Sequence, residues 1–167
     1  MTSTSTQRAI FASGCFWGTE YHLKKQAGVL STSVGFTGGH IKNPAYREVC
    51  MGTTGHAEAV EVIFDPSIVS FESLARLFFE THDPTQLNRQ GPDVGTQYRS
   101  EIFVLNEDQR TVSAQLIKLL EDAGLPVQTQ ITSAGPFYRA EEYHHDYYNK
   151  SGGSPYCHIY TKRFTDG

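Results

Sequence analysis

The stretch "RAIFASGCFWGTEYHLKK", Arg8 to Lys25, changes its rhythm partway through. Arg8 to Ser13 is a short apolar run of the kind a buried strand needs, and from about Trp17 to Lys25 the pattern suits a helix. Between them Gly14 to Gly18 forms the turn, with glycines bracketing a tight backbone path. A strand that runs almost directly into a helix is a building unit of α/β domains, and Cys15 sits at the junction.

The same alternation continues outward. Val29 to Phe36 is β-branched and strand-like, and it leads into a polar, broken loop, "TGGHIKNP". Glu58 to Phe64 reads as a further strand closed by Asp65-Pro66. Ser70 is placed to cap a helix in which Phe71, Leu74, Ala75 and Phe78 follow the i, i+3, i+4, i+7 spacing, ending near His82. Arg99 to Leu105 alternates as a strand, and Asn106 with Gln109 resembles a capping box. The helix it opens carries Val112, Leu116, Leu119, Leu120 and Ala123 in one stripe, with Gly124 at its end. Val127 to Ser133 reads as a last strand and "AEEYHHDYYNK", Ala140 to Lys150, as a last short helix. The expectation is a two-layer α/β sandwich with a mixed central sheet, flanking helices, long irregular loops and a C-terminal tail.

With 167 residues the chain fits one catalytic-size domain, 1–167, able to bury roughly two thirds of its unfolded surface without disulfide staples. Residues 1–6 are expected to be disordered and 149–167 to be a flexible tail. The 14 basic and 18 acidic residues, a net charge of −4, are spread without long runs, which argues against a nucleic-acid partner. The polar start and the lack of any stretch near 18 apolar residues argue against a membrane partner. A cytoplasmic monomer is expected. Three cysteines, Cys15, Cys50 and Cys157, are too few and too far apart for a disulfide framework.

Cys15 has two readings. After a buried strand a cysteine commonly just packs; at a helix N-terminus its sulfur also meets unpaired N–H groups and the positive end of the helix dipole, which favour a thiolate nucleophile. Glu58 shares strand parity with Val60, Val62 and Phe64, so its carboxyl points to the buried face, unless it reaches solvent past the sheet edge. A carboxyl in apolar surroundings stays protonated near neutral pH, as a general acid must. Tyr46 and Tyr98, in polar loops, either pack or offer phenols to a developing oxyanion. His144, His145 and Asp146 invite a metal reading, but adjacent helical histidines diverge by about 100°, and no H-E-x-x-H or C-x-x-C occurs. No metal is expected, and with no glycine-rich phosphate motif no cofactor either.

Together "GCFWG" (Gly14 to Gly18), "GHAEAVEV" (Gly55 to Val62) and "DPTQ…DVGTQYRS" (Asp83 to Ser100) resemble the peptide-methionine sulfoxide reductases of the A class, from about Arg8 through Phe164. The resemblance implies thiol-dependent reduction of the S epimer of methionine sulfoxide, free or in proteins. It implies Cys15 as nucleophile, Glu58 as the acid that protonates the sulfoxide oxygen, Tyr46 and Tyr98 as phenols holding that oxygen, and Asp93 near a bound water. Phe16 and Trp17 become the methyl pocket, a wall rather than core. Cys157 becomes the thiol that resolves a Cys15 sulfenic acid into a disulfide, which thioredoxin or a similar donor reduces. Many relatives carry a third redox cysteine beyond that point; "HIYTKRFTDG" has none. Two other readings stay open: a cysteine hydrolase, which needs a histidine base oriented by Asn or Asp, and a noncatalytic redox-sensing or methionine-binding module.

Overall fold

The computed structural model describes residues 6–42, 44–50, 54–91, 93–140, 144, 161 and 163–164. The first strand, β1 (Gln7–Ser13), is buried over its last five residues. Gly14 then turns the chain with φ +98°, a left-handed conformation that disfavours any residue with a Cβ. Helix α1 (Phe16–Lys24) starts at once, with Cys15 as its N-cap residue. There follow β2 (Val29–Thr37), the short helix α2 (Tyr46–Cys50), β3 (Ala57–Phe64) and α3 (Phe71–Glu80). A small ribbon of β4 (Arg89–Gln90) and β5 (Asp93–Val94) and a 3₁₀ turn (Thr96–Tyr98) precede β6 (Ser100–Val104), α4 (Glu107–Asp122), β7 (Gln130–Ser133) and β8 (Phe137–Arg139).

Six strands form one mixed sheet in the order β7-β6-β1-β3-β2-β8. All pairs are antiparallel except β6 with β7, the two strands that α4 connects. Alternation along the strands sorts the side chains. Phe11, Val34, Phe36, Val60, Val62, Phe64, Ile102 and Val104 meet the apolar sides of the helices, including Leu23, Leu74, Phe78, Leu116 and Leu120, in one core cluster. Phe11 stacks on Phe71 and Phe78 at 5.7 and 5.2 Å. Each such side chain, fully buried, contributes about 1.5–3 kcal/mol. On the opposite face Ile10, Ala12, Ala57, Ala59 and Phe103 form a smaller cluster covered in part by Ala134 and Phe137. The fold is the expected two-layer α/β arrangement.

The helix ends follow their capping chemistry. Ser70 accepts from the Ser73 N–H at 3.0 Å and Asn106 from the Gln109 N–H at 2.8 Å. The box is not closed reciprocally: the Gln109 side chain accepts from the Leu105 N–H and donates to the Arg8 carbonyl at 2.7 Å, which ties α4 to β1. Gly124, φ +95°, lies one residue past the C-cap Ala123. Among the described residues no helix is long and apolar enough to cross a membrane.

Several expectations need correction. The strand expected from Val127 begins at Gln130, because the Gln128 N–H donates to the Pro84 carbonyl at 2.7 Å instead of to a neighbouring strand. Tyr46 heads a helix rather than lying in a loop, and Tyr98 ends a 3₁₀ turn. Within the expected tail, Thr161, Arg163 and Phe164 make defined contacts with α3. Thr161 N–H donates to the Glu80 carbonyl at 2.6 Å and Arg163 N–H to the Glu80 carboxylate at 3.0 Å. Phe164 packs edge-on against Phe79 in the core. The remainder of 149–167, Cys157 included, the start of the chain through residue 5, and the helix expected at 140–150 apart from Ala140 and His144 lie outside the described residues.

Candidate active site

The site grows from the junction between β1 and α1. At the N-cap of α1 Cys15 is 7 % exposed. The Cys15 carbonyl accepts from the Gly18 N–H at 3.2 Å and from the Thr19 hydroxyl at 3.3 Å. That hydroxyl is also 2.7 Å from the Ser13 hydroxyl. The turn holding Cys15 is thus fixed from both sides; Cys15 is the N-cap residue of α1, although its side chain makes no capping hydrogen bond to the helix.

The next N–H, that of Phe16, does not point into water. It donates to Glu58 Oε1 at 3.2 Å, so the carboxyl of a β3 residue meets the residue that follows the thiol. Glu58 is 1 % exposed, and its other oxygen, Oε2, is buried with no hydrogen-bond partner among the described residues. Burial is the main reason that its pKa is pushed up from 4.5 to about 8; the Phe16 N–H opposes the rise and the nearby Asp93 charge adds to it. At neutral pH the carboxyl therefore carries a proton. The strand parity behind this is as expected: Glu58 sits opposite Phe36 in β2 and faces the same core as Val60 and Val62.

Asp93 reaches this neighbourhood on the β4–β5 ribbon. Opposed residues of an antiparallel pair point to one side, so Asp93 and its partner Gln90, which is buried, face the body of the protein, while Arg89 and Val94 face outward. Gln90 clasps the backbone of Asp83 through two hydrogen bonds of 2.8 and 2.9 Å. Gly95 donates to the Asn88 carbonyl at 2.9 Å. The ribbon leads directly into the 3₁₀ turn that carries the half-buried Tyr98, and this turn packs against β3.

An aromatic group closes the other side. The Phe16 ring lies 5.6 Å from Phe36, 6.1 Å from Tyr46 and 6.5 Å from Trp17. Phe16 is fully enclosed and belongs to the main core cluster, which corrects the expectation that it is pocket wall rather than core; it backs the site, while Trp17 is only partly buried. Tyr46 is positioned by the cap of its own short helix, where Ala45 N–H donates to Glu48 Oε1 at 2.9 Å. Farther back the loop toward Tyr46 is held by His56. Its Nδ1 accepts from the Gly39 N–H at 3.0 Å and its Nε2 lies 2.6 Å from the Ile41 carbonyl, which assigns the ring proton to Nε2.

Two residues enter that sequence reasoning did not place here. His144, read above only as a rejected metal ligand, is buried with its ring 4.3 Å from Tyr46, 5.5 Å from Phe16 and 5.8 Å from Trp17. His56 braces the loop through main-chain groups. No sequence periodicity could reveal either contact, because both depend on segments far apart in the chain. Cys157 lies outside the described residues, and no group of three or more metal-ligating side chains occurs among the described ones.

A buried thiol at a helix N-terminus beside a protonated carboxyl and an aromatic wall suits attack on a small, neutral, polarised group whose oxygen must receive a proton. Comparison with known proteins agrees. The family model described as peptide methionine sulfoxide reductase matches residues 7–166. A peptide methionine sulfoxide reductase MsrA from Saccharolobus solfataricus is 49 % identical over 152 residues, covering 90 % of this chain and 86 % of the relative. The reduced form of Mxr1 from Saccharomyces cerevisiae superposes with a TM-score of 0.87 at 32 % identity, over 95 % of this chain and 94 % of that one. A second structure of Mxr1, in complex with Trx2, aligns with a TM-score of 0.63 at 23 % identity over 98 % of this chain and 94 % of that one, a likeness of fold alone. On sequence, fold and extent together, the chain belongs to the peptide methionine sulfoxide reductase family and is an oxidoreductase that reduces methionine sulfoxide.

Proposed function

We propose that the chain reduces the S epimer of methionine sulfoxide, free and within proteins, with Cys15 and Glu58 acting on opposite ends of the S=O group. The observation that carries this reading is the Glu58 carboxyl: buried, protonated up to about pH 8, bonded to the backbone beside Cys15, and with one oxygen uncommitted among the described residues. The Cys15 thiolate attacks the sulfoxide sulfur while Glu58 gives its proton to the oxygen. Without that proton the oxygen is a poor leaving group, and a well-placed acid contributes about 10² to 10⁴ in rate. Tyr46 and Tyr98 hold the oxygen through their phenols, and Asp93 orders water beside Glu58. Trp17, backed by Phe16, receives the S-methyl group.

The step balances. The Cys15–substrate S–S bond forms as the S–O bond breaks, the oxygen leaving as water with one proton from Glu58 and one from solvent. Water then attacks the Cys15 sulfur, breaking the S–S bond. The substrate departs as a thioether two electrons richer, one proton is returned and Cys15, two electrons poorer, is left as a sulfenic acid. Cys157 then attacks that sulfenic sulfur, releasing water and forming a Cys15–Cys157 disulfide, which a thioredoxin or similar dithiol reduces. Mxr1, whose reduced form is 32 % identical to this chain, has been solved in complex with Trx2, and a donor of that kind fits the proposed disulfide. The protein is proposed to act as a cytoplasmic monomer.

The protonated carboxyl beside Cys15 favours the reductase reading over a cysteine hydrolase. A cysteine hydrolase needs a neighbouring base, and what meets the residue after Cys15 is a carboxyl that holds its proton. The test is consumption of each methionine sulfoxide epimer with dithiothreitol or thioredoxin as reductant. Turnover of the S epimer alone is expected, with Cys157→Ser retaining one round of methionine release but losing thioredoxin-driven turnover. No consumption of the S epimer would overturn the reading.

A further inference from the structure

On the sheet face opposite the thiol, Arg99 makes contacts that the chemistry above does not use. Its side chain is 13 % exposed and that of Glu101 is 4 % exposed. The guanidinium donates through Nε to Glu101 Oε1 at 2.6 Å, through Nη1 to the Thr96 carbonyl at 2.9 Å and through Nη2 to the Gly55 carbonyl at 3.0 Å. Thr132, on β7, donates its hydroxyl to the second Glu101 oxygen. Gly38, φ +85°, leaves the room for this: a Cβ there would lie 3.0 Å from Arg99 Nη2 and 2.8 Å from the Phe103 ring.

These contacts join segments that each lead to a group assigned above to the sulfoxide oxygen. Gly55 stands three residues before Glu58 and two before β3 begins. Thr96 opens the 3₁₀ turn that ends at Tyr98 and follows the ribbon bearing Asp93. Gly38 begins the loop that runs to Tyr46. A planar guanidinium with donors in fixed directions can set the spacing of two carbonyls in a way an ammonium group cannot. Glu101 fixes the plane of the fork, and Thr132 fixes Glu101.

We propose that Arg99 is a positioning residue, held by Glu101, which sets the distance between the segment leading into β3 and the Thr96–Tyr98 turn and so aligns the Tyr98 phenol with the oxygen that Glu58 protonates. This rests on the reading of Tyr98 and Glu58 given under the proposed function. Arg99 touches no reacting atom; it acts through two main-chain carbonyls. Small misplacements of aligned groups cost up to about 10²-fold in rate, so the consequence belongs in the chemical step rather than in substrate affinity.

The test is a double-mutant cycle on the full, pre-reduced chain, read as single-turnover methionine release across substrate concentration. Tyr98→Phe is expected to lower the maximal rate about tenfold. Arg99→Lys, which keeps the charge and removes the fork, is expected to lower it about tenfold in the parent chain but less than twofold in the Tyr98→Phe background. The half-saturating substrate concentration and the alkylation rate of Cys15, followed by peptide mapping, should stay within twofold. An equal loss from Arg99→Lys in both backgrounds, or no loss in the parent, would overturn the role of Arg99 while leaving that of Tyr98 in place. A Tyr98→Phe chain with the parent rate would overturn the assignment of Tyr98 and the inference with it. Should Arg99→Lys not fold, as judged by circular dichroism, Glu101→Gln carries the same cycle: a smaller loss confined to the Tyr98 background supports the inference, and an equal loss in both backgrounds overturns it.

Discussion

Replacing Glu58 by Gln should invert the stability difference between variant and parent as pH rises. In the folded chain Glu58 holds its proton up to about pH 8, against 4.5 for an ordinary glutamate, chiefly because burial penalises the charged form. A pKa raised by folding gives stability that is fully present below 4.5 and is lost as pH rises toward 8, since the unfolded chain has already released the proton that the folded chain keeps. The loss is about 1.4 kcal/mol per pH unit, or about 5 kcal/mol over that interval. Gln cannot titrate, so it is free of this loss. It has its own cost, because its amide would set an N–H pair where Oε2 has no partner among the described residues, about 1–3 kcal/mol. At pH 4.5 Glu58→Gln should therefore be less stable than the parent by about 1–3 kcal/mol, and at pH 8 more stable by about 2–4 kcal/mol. Urea unfolding of both reduced chains at half-unit steps from pH 4.5 to 8.5 reads this directly, provided the urea dependence is the same in both. The other carboxyls, such as Asp83, whose pKa is lowered by its hydrogen bonds with Thr85 despite its partial burial, cancel in the comparison. Parallel stability curves would refute the reasoning, because they would mean that Glu58 titrates alike in the folded and unfolded chains.

Three further outcomes follow from particular contacts. Ser113 is buried in α4, and its hydroxyl has no hydrogen-bond partner among the described residues; Ser113→Ala should raise stability by about 1 kcal/mol and the melting temperature by about 2–4 °C, and a lower melting temperature would show the hydroxyl to be bonded. A Cβ on Gly39 would lie 2.4 Å from the backbone of both Thr54 and His56, so Gly39→Ala should displace the loop toward Tyr46 and reduce single-turnover methionine release at least about tenfold, against no change if that loop is independent of the site. Tyr46→Phe keeps the ring packed among Phe16, Phe36 and His144 and removes only the phenol, so the same rate should fall about tenfold with the thermal melt unaltered; a shifted melt with unchanged rate would assign Tyr46 to packing.

Much of this architecture is written locally. The apolar run, glycine turn and helix around Cys15 need no distant partner to be recognised, and the parity of Glu58 with Val60 and Val62 follows from a strand's period of two. The caps at Ser70 and Asn106 are equally local. What escaped the sequence depends on partners far along the chain. β8 is three residues that become a strand only by pairing with β2 at Gly35 to Thr37. The β4–β5 ribbon is two residues on each side, below any periodicity, and α2 is five residues long. Phe16 is core because Phe36, from another strand, lies 5.6 Å away, a neighbour that "GCFWG" does not disclose. In the sequence Arg99 and Glu101 are only members of an alternating strand; the fold shows their nitrogens and oxygens spent on Gly55, Thr96 and Thr132.

The central claim is that Glu58 protonates the oxygen while Cys15 attacks the sulfur, and single-turnover methionine release from the S epimer, measured by rapid quench from pH 6 to 9.5, tests it most directly. The parent should release one methionine per Cys15 at a rate that loses its acid-dependent limb near pH 8, where Glu58 ionises. Glu58→Gln should lack that limb and be slower by about 10² to 10⁴ at pH 7, with Cys15 alkylated as fast as in the parent. A Glu58→Gln chain that releases methionine at the parent rate and pH dependence would contradict the account.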